Sequence, residues 1–312
     1  MITRRRFTSA AMLAAAAAAL PRNASAQEKP DQPQSAAEPF ALHYIVASCM
    51  YGTAPLAEIV PEVPKTGARF LEIWDRPHGS QREQIDAMGE EAFAALLAEH
   101  DVQLGSFTCF RQGIFQMQPE MQVVRRLGGD MVICNSGGPT KLSGDALKSA
   151  VRDFAEKLRP HVAAAERIGV ILGVENHGNS LIQSADSQRM LLDAIDSPHL
   201  GIALAPYHLP QDPEQIARLI RQLGPRLVHF QAWQHGNGCH RPMPKAEELL
   251  QMPGRGPLDF EPLLAALEEI GYTGRTEIFM HPTPRGVPIL DSTAAVTAEI
   301  NRARHYLEQS HQ

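Results

Sequence analysis

Three glutamates stand inside short, apolar, β-rich runs. They are Glu72 in "ARFLEIW", Glu175 at the end of "VILGVE" and Glu277 in "GRTEIF". Burying a carboxylate unpaired is costly, so each needs a compensating partner. A divalent cation or a cationic side chain would supply it. His229 in "RLVHFQ" is a metal-ligand type in the same setting, and Gln231 follows it two residues later. Further polar residues lie just past apolar runs: Asn135, Asn176 and His177, then His208, Trp233, His281 and Arg285. Glutamates and histidines gathered around one ion would suit proton transfer next to a carbonyl. The ion would hold the substrate oxygens while one carboxylate takes a proton and another returns it. Structural roles stand beside these. Glu72 could pair with a rim arginine, and His177 could cap a turn. His235 and His240 could be solvated, His43 could be structural, and Trp233 could be a ligand-stacking face or rim packing.

The runs that carry these residues recur with a regular rhythm. Strands are expected at 42–48, 68–74, 102–108, 130–135, 170–175, 200–205, 226–231 and 274–279. Helical patterns fall between and after them, at 54–66, 81–99, 117–127, 144–168, 184–195, 213–222, 258–270 and 292–308. The stretch 144–168 has apolar residues at helical spacing and Gly169 at its end, and "SADSQRMLLDAI" opens on a Ser/Asp cap signal. Eight alternating pairs point to an α/β fold, a single-domain (β/α)8 TIM barrel over 42–312. An open doubly wound sheet is the alternative, but no GxGxxG follows the first strand. In such a barrel the C-terminal strand ends and their loops form the active site. The selected residues fall there. The long insertion 232–257 after strand 7 reads as a functional rim or lid.

The first 26 residues read differently. A twin arginine, Arg4 and Arg5, precedes Phe7. The apolar run Ala10 to Leu20 follows, then "ASA" as a cleavage site. This is the pattern of a Tat-type signal peptide, which implies export to a bacterial periplasm. A Sec signal with an arginine-rich start is the alternative. The run is shorter than the ~20 apolar residues a span needs, and no later segment reaches that length. Residues 27–41 read as a flexible, proline-rich tether. Removing four leader arginines takes the formal charge from −6 to −10. So acidic a domain argues against nucleic acid as a partner. Four cysteines, Cys49, Cys109, Cys134 and Cys239, form no CxxC and no dense disulfide framework.

"GVENHG", "LVHFQ", "ARFLEIW" and "MPGRGPLDFEPLLAALEEIGYTGRTEIF" resemble the xylose isomerase-like TIM-barrel superfamily of sugar isomerases, epimerases and related lyases. The resemblance spans about 42–308. It implies a divalent ion held by a Glu ending strand 5, an Asp ending strand 6, a His on strand 7 and a Glu on strand 8. Glu175, His229 and Glu277 fill three of these places. The strand 6 pattern Asp-x-x-His reads "APYH" here, with Ala205 in the Asp place and His208 in the His place. His208 is then a substitute ligand or a substrate contact. The implied catalytic pair is Glu175 and Glu277. The implied substrate contacts are Glu72, His177, His208, Gln231, Trp233, His281 and Arg285. Mn2+ is the expected ion, with Mg2+, Co2+, Zn2+ and Fe2+ as alternatives. The expected function is isomerisation or epimerisation of an unphosphorylated sugar or keto-sugar. β-Elimination on a keto-sugar or cyclitol stays open, and so does a non-catalytic sugar-binding barrel. A superfamily relative that cuts DNA at abasic sites uses a richer ligand set than this chain carries. Homo-oligomerisation is open.

Overall fold

A computed structural model describes residues 40–236 and 241–310. The leader 1–26, most of the tether, Cys239 and His240 lie outside the described residues. Eight parallel strands close into a barrel in chain order. They are β1 (His43–Ala47), β2 (Phe70–Trp74), β3 (Gln103–Thr108), β4 (Met131–Asn135), β5 (Ile171–Glu175), β6 (Leu200–Leu204), β7 (Leu227–Ala232) and β8 (Arg275–Ile278). Each strand lies within the run expected from sequence, except that β7 continues to Ala232.

Two helical stretches break where local chemistry requires it. The stretch 54–66 forms helix only over Leu56–Ile59, followed by two short turns at Val60–Glu62 and Pro64–Thr66. Pro61 and Pro64 remove the amide donors a continuing helix would need. The stretch 81–99 divides at Gly89, whose φ is 88°. The helix Gly144–Ile168 runs unbroken through Pro160 and stops at left-handed Gly169. The Ser184 hydroxyl accepts the Ser187 amide at 3.2 Å and opens the helix Ala185–Ala194.

The main core lies between strands and helices. Within the barrel, Met131, Ile133 and Ala203 pack with Ile171 and Val228 as a separate cluster. Below them Arg275 spans the N-terminal end. Its guanidinium forks onto Asp130 at 2.6 and 2.8 Å and covers the Phe70 ring. Glycine makes room at Gly201, where a Cβ would stand 2.3 Å from Val228 Cγ1 and 2.8 Å from the Arg226 carbonyl. Pairing shifts register at Leu71/Glu72 and at Ile202/Ala203. Such irregularities re-aim neighbouring side chains.

The long loop after β7 is folded onto the barrel. Gln251 accepts from Trp233 Nε1 at 2.9 Å and donates to the His281 carbonyl at 2.9 Å. Gln234 bridges Met252 and Leu258, and Glu248 accepts the Thr283 amide. These buried side chains tie the loops after β7 and β8 together, which positions Trp233 and His281 over the mouth. No helix among the described residues is long and apolar enough to cross a membrane. Cys49, Cys109 and Cys134 are buried free thiols.

Candidate active site

The mouth holds two ligand groups at different depths. The deeper one is Glu72, His229 and Glu277, contributed by β2, β7 and β8. All three are essentially sealed from solvent. His229 Nε2 lies 3.3 Å from Glu277 Oε2 and 3.8 Å from Glu72 Oε2. The Thr108 hydroxyl at the end of β3 donates to Glu72 Oε1. Burial, then the neighbouring Glu277, pushes the Glu72 carboxyl well above its ordinary range. Burial raises Glu277 to about 8. Burial also keeps His229 below its ordinary value, so the imidazole tends to stay neutral.

The second group is Glu175, His177 and His208, from the end of β5 and the turn after β6. Glu175 Oε1 lies 3.5 Å from His208 Nε2. The His177 and His208 rings face each other with centroids 4.3 Å apart. Burial raises Glu175, while His177, His229 and Gln231 pull it back. Gln231 is fully buried, and its amide also draws Glu277 toward ionisation. In register it stands beside Glu277.

Ala205 follows β6 and brings no donor side chain. Its backbone is held by Asn176: its amide donates to Asn176 Oδ1 at 2.6 Å, and its carbonyl accepts from Asn176 Nδ2 at 3.1 Å. Strand 5's "EN" pair thus supplies Glu175 to the mouth and Asn176 to the neighbouring strand end.

Aromatic rings line the remaining wall. Trp74 stacks on Phe279, and Trp233 stacks on Tyr207 with centroids 3.9 Å apart. Trp233 is 1% exposed, so in this structure Tyr207 occupies the face on which a sugar could stack. His281 is buried against Trp74, Trp233 and Phe279, and burial pushes its pKa well down. His78 tilts onto His281 at 4.6 Å, and burial lowers it to about 3. Arg285 is exposed, and its charge opposes protonation of His78, His177 and His281. A cavity of about 450 Å3 opens beside this wall, lined by His177, Asn179, Gln183, Tyr207, His208 and His235. That volume suits a small ligand.

The structure therefore does not join Glu175, His229 and Glu277 in one tight group. His229 and Glu277 sit with Glu72, and Glu175 sits with His177 and His208. Thr108, His78 and Tyr207 also belong to the mouth, although none was a sequence candidate. The strand-end Thr in "SFT" and the His in "DRPHGS" were their only signals.

The donors fit a divalent ion. Glu72 Oε2, Glu175 Oε2, Glu277 Oε1 and His229 Nδ1 are buried without a hydrogen bond of ordinary geometry among the described residues. Carboxylate and imidazole donors suit Mn2+, Fe2+, Co2+ and Zn2+.

A model of the xylose isomerase-like TIM barrel family matches residues 60–300. The chain belongs to that family. Several solved structures share the family barrel. D-psicose 3-epimerase with D-tagatose from Clostridium cellulolyticum superposes with a TM-score of 0.67 at 17% identity, covering 86% of this chain and 99% of that one. D-allulose 3-epimerase from Methylomonas sp. in complex with D-allulose gives 0.66 at 16%, covering 88% and 98%. The IolI protein with a bound zinc atom gives 0.63 at 14%, covering 86% and 96%. At these identities the likeness is one of fold. No curated protein matches.

Proposed function

We propose that this barrel is a metal-dependent sugar isomerase or epimerase that moves a proton on the carbon next to a carbonyl. One observation carries the reading. Two buried carboxyls, Glu175 and Glu277, stand at the mouth in different surroundings, Glu175 beside His177 and His208 and Glu277 beside Glu72 and His229. Glu277 keeps its proton up to about 8. Glu175 is raised by burial but drawn back by two histidines and an amide. Pairs whose environments separate them in this way divide into acid and base. Glu175 takes the proton from the substrate carbon, and Glu277 gives one back. Epimerisation follows if the two act on opposite faces. Neutral His281 orients a substrate hydroxyl, and the Trp74 and Trp233 wall excludes water. A divalent ion, when bound, supplies Lewis-acid stabilisation of the enediolate charge. The sequence pointed to Glu175, His208, His229 and Glu277 as the set to hold it, and the structure divides them, with Glu175 and His208 beside His177 and with His229 and Glu277 beside Glu72.

Neighbours of this fold are a D-psicose 3-epimerase with D-tagatose and a D-allulose 3-epimerase with D-allulose, which supports a keto-sugar substrate. The twin-arginine leader supports an exported protein and hence an unphosphorylated sugar. Ala205 favours one second reading, a sugar-binding barrel that has lost catalysis. The test is product analysis with a panel of ketoses and the metal-loaded protein. The reading expects an epimer or isomer to appear with wild type and to vanish with Glu175→Gln. A protein that binds sugar and converts none of the panel would favour the second reading.

A further inference from the structure

Two groups of candidate ligands lie in the mouth, and their surroundings differ. In each, three ligand atoms lie within 4.8 Å of one another. We infer that the divalent ion sits on Glu175, His177 and His208, at the rim between β5 and β6, and that His177 is one of its ligands. This rests on the metal-assisted reading above only for there being an ion.

Access separates the two sets. Glu72, His229 and Glu277 are sealed beneath the wall, whereas His177 and His208 line the cavity of about 450 Å3. An ion that acts on substrate needs coordination positions open to the cavity. The deep set also already satisfies part of its own demand. Its imidazole faces both carboxylates, and Thr108 donates to Glu72.

The rim set is organised for ligation. His177 Nδ1 lies 2.6 Å from the Gly178 carbonyl. A carbonyl only accepts, so Nδ1 carries the hydrogen and Nε2 presents its lone pair. A backbone carbonyl on the second ring nitrogen is the usual way a ligating histidine is oriented. Gly178 lets the second imidazole approach, since a Cβ there would stand 3.1 Å from His208 Nδ1. Glu175 is 2% exposed, and its Oε2 is buried without a hydrogen-bond partner. Two imidazoles and one carboxylate suit Zn2+, Co2+, Mn2+ or Fe2+ and leave positions for water or substrate. No side chain at 205 is required.

The test is Co2+ titration of the chelator-treated full chain, followed by visible absorption and by calorimetry. Circular dichroism and thermal melting check that each variant is folded. His177→Ala is expected to weaken Co2+ binding about 100-fold, and Gly178→Ala about 10-fold, on the scale of disturbed ligand orientation. Glu72→Gln is expected to bind within about twofold of wild type, because it lies outside the rim set. His229→Gln replaces it if it fails to fold. Loss of binding in Glu72→Gln or His229→Gln with full binding in His177→Ala would overturn the inference. So would a wild type that binds no Co2+. Proton exchange on sugar, measured separately, keeps the two readings apart. Exchange together with Co2+ binding that is unchanged in His177→Ala sinks the rim site alone, and binding that follows His177 without exchange sinks the enzyme reading alone.

Discussion

Glu277→Gln is expected to remove a distinct part of the stability that the metal-free protein loses between pH 4.5 and about 8. Burial holds the Glu277 carboxyl at about 8, against an ordinary 4.5. Between these values the unfolded chain has released its proton while the folded chain has kept it. The folded state then binds more protons, so stability falls as pH rises through that window. The contribution is fully present below pH 4.5 and lost above about 8. At ~1.4 kcal/mol per unit, the full shift corresponds to about 5 kcal/mol. Glu72 titrates against the same neighbour, so the wild-type slope belongs to the pair. An amide at 277 has the same shape and no titrating proton. The assay is urea unfolding across this range in excess chelator, for wild type and variant. The variant curve should be flatter by several kcal/mol. Parallel curves for the two proteins would refute the reasoning, because the carboxyl would then pass through this range without cost.

Three further outcomes follow from the same geometry. Ala205→Asp places a carboxylate two residues beyond Ala203, on the same side of β6; without metal it is expected to cost about 3–5 kcal/mol as an uncompensated buried charge. Saturating Co2+ should stabilise the variant more than it stabilises wild type, and an equal gain in the two proteins would show that position 205 does not meet the ion. Gly201→Ala drives a Cβ to 2.3 Å from Val228 Cγ1 and 2.8 Å from a carbonyl, so denaturant unfolding should show a loss of about 1–3 kcal/mol; an unchanged midpoint would mean the barrel floor yields freely. His78 stays neutral down to about 3, chiefly through burial; between about 3 and 6.5 the unfolded chain binds the extra proton, so stability is lost as pH falls through that window, by up to ~1.4 kcal/mol per pH unit. His78→Phe should flatten the acid limb, and an unaltered limb would exclude His78 as its source.

The barrel was legible because each strand is a short apolar run followed by a helical pattern. The misread helices have local causes in Pro61, Pro64 and Gly89. Glu72, Glu175, Glu277 and His229 stood out because charged and metal-binding types interrupt apolar strands. Their division into two groups was not legible. It depends on how eight strands stagger, including the register shifts at Leu71/Glu72 and Ile202/Ala203. Nor could sequence show that Tyr207 covers Trp233, since that contact requires the turn Pro206–His208 to fold against the end of β7. Thr108 was hidden for a similar reason: a threonine ending a strand is ordinary until a carboxylate from the preceding strand meets it.

The central claim is that Glu175 and Glu277 move a proton on a carbon beside a sugar carbonyl. Mass spectrometry of ketose recovered from metal-loaded protein in D2O tests it most directly. Wild type is expected to place one deuterium on the carbon next to the carbonyl, and Glu175→Gln and Glu277→Gln to place none. A folded, metal-loaded wild type that binds ketose and leaves that carbon unlabelled, or a Glu277→Gln variant that labels it at the wild-type rate, would contradict the account.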